Sequence, residues 1–407
     1  MSVRALVRRP GYRDLLVGQG VSALGDWMGT VAFMALALDL TGSPTAVGGI
    51  LTLRLLPAAL GGPLAARAAH RWDRRRTMLW MDGVRAGMIA LVPLVRGLWW
   101  VYLWAFFLEV ASLVFLPARD ASIPDLVEER DLPLANGLVL GSSYGSIPLG
   151  AAAFALVAAL PGADVANRPL ALVFWVDAAT FLVSFAFVAR ITQLAAPTRA
   201  PGAVEEAGRF REAFSIPLVR AVLPAAAAVA LGLGALFSLG IVFVRDVLDA
   251  TDVEFGWLIA LFGVGAAVGL GALQRSATGD ALARTRVGVA CIGLVVAVFS
   301  LSPSLWGAYL GAAGFGASAA YSLAAGMSVI QARLDGQERV VAFAAFHVVM
   351  RVGLGLAAIG AGVAGDLAEA VDLPLLGRLE PSRLVLLSSG LLVLASSGLV
   401  REQQETA

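Results

Sequence analysis

The sequence predicts an all-α membrane protein, with twelve transmembrane helices in two six-helix bundles. Three observations predict it. Of 407 residues, 59% are hydrophobic and only 14% charged, whereas soluble domains carry about a quarter charged residues. Apolar runs approaching the ~20 residues needed to cross a bilayer recur along the whole chain. Arginines gather on alternate connections, with one long polar break near the middle. A mean hydropathy of +0.82 agrees.

The elements follow in order. The basic start, Met1 to Arg13, leads from the cytoplasm into the first helix and lacks the cleavage site of a signal peptide. The first helix covers about residues 14–40 and ends at the turn Leu40-Thr41-Gly42-Ser43-Pro44. The second covers about 45–69. A dense basic turn follows, Arg71-Trp72-Asp73-Arg74-Arg75-Arg76. Then come the third helix at about 77–95 and the fourth at about 99–118. A charged connection at 120–133 precedes the fifth (about 134–160) and the sixth (about 169–191). Residues 192–212, with Pro197, Pro201, Glu205, Glu206 and Arg209, read as a cytoplasmic linker between bundles 1–191 and 213–407. The second bundle holds helices at about 217–244, 253–273, 287–301, 304–330, 340–365 and 383–400.

Charge sidedness supports this topology. Arg8, Arg9, Arg74 to Arg76, Arg190, Arg284, Arg286 and Arg333 fall on one set of connections. Asp164, Asp246, Asp249, Asp252, Glu254, Asp366 and Asp372 fall on the other. Arginine-rich loops stay inside, so both termini are expected in the cytoplasm of a bacterial cell membrane. A net charge of +1 gives no pull toward nucleic acid. Cys291 is the one cysteine, so no intrachain disulfide forms. Neither a zinc-type His/Cys set nor a phosphate-binding lysine loop is present, so no cofactor and no enzymatic activity are expected.

Several motifs carry a family resemblance. Gly62, then Arg71, Asp73 and Arg74 to Arg76, resemble the loop between the second and third helices of the major facilitator superfamily, with His70 where that family has an acid. Gln19-Gly20-Val21-Ser22-Ala23-Leu24-Gly25-Asp26-Trp27 resembles the first helix of its enterobactin-exporter and macrolide-efflux branch. Pro117-Ala118-Arg119, Ile123-Pro124-Asp125 and Ala135-Asn136-Gly137 are similar to that branch around its fourth and fifth helices. Of the fifth-helix antiporter pattern, Gly145, Pro148 and Gly150 remain. The resemblance implies a monomeric secondary transporter that exports a small amphipathic or hydrophobic compound (a drug, macrolide or siderophore-like molecule) by alternating access and proton antiport. Its partners would be that substrate, protons and the lipid bilayer. Lipid or lysophospholipid transport, and a non-transporting sensor or scaffold, are the competing readings.

Ionisable groups inside a membrane are costly and need a reason. Asp26 and Arg54 each lie about 20 Å from the cytoplasmic ends of the first and second helices. The expected arrangement is therefore a mid-membrane Asp26–Arg54 pair. Glu109, among Phe106, Phe107, Leu108 and Val110, is a second candidate proton carrier, on the expectation that it is buried without a partner. Asp82 and Arg85 are three apart on one helix face and read as a structural or gating pair. His347 and Arg351 share a face of the eleventh helix. Asp73 is a candidate docking acid, and His70 a candidate titrating element of the cytoplasmic gate. Asp177 reads as structural.

Overall fold

The computed structural model describes residues 3–61, 72–165, 168, 170–192, 194, 214–275, 281–334, 336–373 and 377–399. Among them, eleven helices are long and apolar enough to cross a membrane. A twelfth, Pro44–Leu60, has 17 described residues. The expected linker lies almost wholly outside the described residues, as do Gly62, His70 and Arg71.

After a short helix, Val3–Val7, come α1 (Pro10–Thr41), α2 (Pro44–Leu60), α3 (Arg74–Leu91), α4 (Leu98–Leu126), α5 (Leu132–Ala158) and α6 (Ala171–Ala189). Then follow α7 (Pro217–Val242), α8 (Asp252–Arg275), α9 (Ala281–Ser300), α10 (Leu305–Arg333), α11 (Gly336–Leu367) and α12 (Pro381–Ser396). A two-stranded antiparallel hairpin, Val371–Leu373 with Gly377–Leu379, separates α11 from α12.

Local chemistry sets the helix ends. Gly42 stops α1 because it adopts φ +65°, where a side chain would be strained. Asp73 caps α3, accepting from the Arg76 N–H at 2.7 Å. The fourth helix outruns its expected end at 118 and continues to Leu126, through the first half of the supposed connection. Burial explains the extension: Ser122 and Ile123 are sealed, and the Ser122 hydroxyl donates back to the Ala118 carbonyl at 2.7 Å. Charge alone had suggested a loop there.

The chain divides into two compact units. One takes Met1–Leu36 and Leu60–Val204; the other takes Ala37–Ala59 and Glu205–Ala407. The first therefore holds most of α1, and the second holds the end of α1 and nearly all of α2.

In the first unit α3 packs on α4 and α6. Gly150 of α5 lets α1 approach closely, since a Cβ there would lie 2.6 Å from the Leu24 carbonyl. One end is closed by a core of Tyr12, Leu15, Met78, Phe115, Ile123 and Val188, with the Tyr12 hydroxyl donating to the Ala135 carbonyl at 2.8 Å.

In the second unit the main pairings are α8 with α10, α7 with α11, and α9 with both α10 and α12. The α8–α10 seam is tight: a Cβ on Gly265 would sit 1.9 Å from the Ala313 carbonyl, and one on Gly316 1.9 Å from the Phe262 carbonyl. The α3–α6 pairing of the first unit recurs as α9–α12 in the second, as an internal repeat predicts.

Candidate functional site

The first unit buries a charge cluster at mid-helix. Asp82 and Arg85 stand one turn apart on α3, 0% and 2% exposed. They pair directly, Arg85 Nη2 to Asp82 Oδ1. Ser184 of α6 donates to the other Asp82 oxygen at 2.8 Å. The guanidinium lies between two rings, 4.2 Å from the Phe115 centroid and 4.5 Å from that of Phe181. Such cation–π contacts stabilise a charge held away from water.

Asp26 completes the cluster. Its Oδ2 is 3.9 Å from Arg85 Nη1, and its side chain is 24% exposed. One guanidinium thus faces two carboxylates of unequal burial: Asp82 is sealed and Asp26 is partly exposed. Asp177 of α6, fully buried, lies against α1 on either side of Asp26 in sequence, its oxygens facing Gly25 and Gly29.

The expected Asp26–Arg54 pair joins residues of the two different units; within its own unit Asp26 also has Arg85 beside it. Glu109 is half-buried on α4 and is not without a partner, unlike the isolated carboxyl expected there. His347 and Arg351 are both exposed on α11. Of the fifth-helix remnant, Gly150 meets α1, Pro148 sits inside α5, and Gly145 has open space at its Cβ position.

At the start of α3 the three arginines part ways. Arg74 donates to the Ala121 carbonyl at 2.8 Å and pairs with Asp125 at 2.9 Å. Arg75 reaches the Ala189 carbonyl at 2.5 Å. Arg76 is exposed, and Asp73, the expected docking acid, caps its own helix.

A second polar set lies in the other unit, where α1 ends and α2 begins. Arg245 joins Asp39 and Asp252, each at 2.6 Å. Asp366 of α11 accepts from the Ser43 hydroxyl at 2.6 Å and the Thr45 N–H at 3.2 Å, capping α2 from another helix. Thr52 of α2 donates to the Gly355 carbonyl at 2.8 Å. A Cβ on Gly48 would fall 2.3 Å from the Ala358 carbonyl, so α2 and α11 touch backbone to backbone. Sequence reasoning missed this set. The available signal was a Ser-Pro helix start lacking a local acidic cap, with Asp366 at the end of a distant helix.

Three comparisons with known proteins bear on identity. The family model described as Major Facilitator Superfamily matches residues 15–358. The chain is 26% identical over 268 residues to the "Uncharacterized MFS-type transporter YfiS" of Bacillus subtilis (strain 168). That match covers 63% of this chain and spans 61% of the relative's length. By structure, the chain resembles a bacterial homologue of the human lysosomal transporter Spinster, solved inward-facing and occupied, with TM-score 0.77, 16% identity and coverage of 96% and 95% of the two chains. It also resembles the nucleoside transporter NupG, with TM-score 0.71, 12% identity and coverage of 95% and 97%. At these identities the structural likeness is one of fold.

Proposed function

Because this chain belongs to the Major Facilitator Superfamily, and is thus a multi-pass membrane transporter, we propose that it exports a small amphipathic or hydrophobic compound across a bacterial cell membrane by proton antiport. In this reading Asp26 carries the proton, and Arg85 and Asp82 set its charge state. The observation that carries it is the unequal burial of the two carboxylates on Arg85.

Asp82 is the fixed partner of the guanidinium: it is sealed, doubly hydrogen-bonded and one turn away on the same helix. Asp26 is the exchangeable one, on a different helix and partly open. A proton arriving at Asp26 removes its attraction for Arg85 while Asp82 keeps Arg85 neutralised. Two opposite charges about 4 Å apart attract by roughly 4 kcal/mol at an effective dielectric of about 20. Repulsion from the neighbouring Asp82 carboxylate and desolvation offset part of this, and each ~1.4 kcal/mol that remains biases the two states tenfold. Loss of the charge frees α1 to move relative to α3. Substrate binding in the opposite state would favour proton release, which gives exchange.

The test is reconstitution in liposomes with an internal pH dye and a panel of lipophilic drugs, macrolides and siderophores. Substrate addition should move protons against substrate. Substrate flux without proton movement would sink the antiport reading.

A further inference from the structure

A groove opens at the start of α3, away from the charge cluster. Trp72, Asp73, Arg76, Thr77, Trp80 and Met81 line about 410 Å³ of space. Trp72 is 53% exposed and Trp80 71% exposed. Arg76 and Trp80 are four apart, on one helix face. Trp72 lies just before the Asp73 cap of α3, and Trp80 lies within the helix.

The three arginines explain why this groove carries a usable charge. Arg74 is neutralised by Asp125, and Arg75 is directed to a carbonyl. Among the described residues nothing holds the Arg76 side chain. Asp73 is the one acid in the groove, and one of its oxygens is taken by the cap of α3. Counting Arg74, Arg75 and Arg76 against Asp73 and Asp125 leaves the region at +1. Indoles favour the zone between headgroups and acyl chains, where one side is wet and the other apolar. An arginine between two exposed tryptophans at the end of a spanning helix is therefore suited to a lipid phosphate, and Trp80 to the upper acyl chain.

We propose that this groove is a binding site for one anionic phospholipid of the leaflet facing the α2–α3 connection. Arg76 grips the phosphodiester, and Trp72 and Trp80 flank the glycerol and chain. A basic residue near an anionic lipid surface contributes enough for about a fivefold preference.

The experiment is native mass spectrometry of the full chain, delipidated and titrated with phosphatidylglycerol or phosphatidylcholine of matched chains. The first phosphatidylglycerol should bind about fivefold more tightly than phosphatidylcholine. Arg76→Gln should abolish the preference while leaving the melting temperature unchanged, since the side chain is exposed. Trp72→Leu with Trp80→Leu should weaken both lipids. Equal binding of the two lipids would overturn the proposal, and so would a preference that survives Arg76→Gln. Displacement of the lipid by millimolar inorganic phosphate would also overturn it, by revealing a soluble-anion site.

Discussion

Gly25 of α1 faces Asp177 of α6 with no room for a side chain: a Cβ at Gly25 would lie 2.4 Å from Asp177 Oδ1 and 2.0 Å from Thr180 Oγ1. One turn on, a Cβ at Gly29 would lie 2.2 Å from Asp177 Oδ2. The two glycines thus make the seat for a buried carboxylate, and Asp26 stands between them in sequence. We expect Gly25→Ala and Gly29→Ala each to cost about 1–3 kcal/mol through overpacking. Thermal unfolding in detergent would reveal it as a lowered melting temperature. Gly145→Ala, with nothing within 4 Å of its Cβ position, is the control, and should hold or slightly raise the melting temperature through helix propensity. Equal melting temperatures for all three would refute the packing argument.

Arg85 pairs with Asp82 in this cluster and is sealed. Removing it leaves Asp82 buried without its cation, which costs roughly 3–5 kcal/mol in comparable buried pairs. Arg85→Met should therefore lower folded yield and melting temperature sharply. Adding Asp82→Asn should restore part of the loss, because the orphaned charge is then gone. Failure of the second change to help would mean that Arg85 acts chiefly by packing between Phe115 and Phe181.

The α2–α11 contact can be locked. Ser43 and Asp366 meet at 2.6 Å, and Cys291, the native cysteine, is exposed and must first be replaced. In a Cys291→Ser background, Ser43→Cys with Asp366→Cys should crosslink under mild oxidant or a short bifunctional thiol reagent. If the two ends separate during the cycle, transport should stop and return on reduction. Full transport by the crosslinked protein would show that this contact stays closed throughout.

Much of this was legible in the sequence, for physical reasons that differ by element. Span length and hydropathy fixed most helices, because a bilayer demands about 20 apolar residues wherever it is crossed. The Asp82–Arg85 pair was readable because three residues is a helical repeat within one element. The Asp26–Arg85 approach was not, since it joins helices distant in sequence. The cap that Asp366 gives to α2 was hidden for the same reason, lying more than 300 residues from its donors. Helix α4 ran past its expected end because Ser122 and Ile123 are buried there, and Asp125, one of the acids that suggested a loop, pairs with Arg74 of α3.

The central claim is that Asp26 exchanges the coupling proton. The most direct measurement compares two modes of Asp26→Asn in liposomes once a substrate is in hand: substrate-for-substrate exchange without a gradient, and uptake or efflux driven by an imposed pH gradient. Exchange does not need net proton movement, whereas gradient-driven transport does. If Asp26 carries the proton, exchange survives and the pH-driven component falls to the level of protein-free liposomes. Gradient-driven transport equal to that of the parent would contradict it, and would reduce the Asp26–Arg85–Asp82 cluster to a structural element of the first unit.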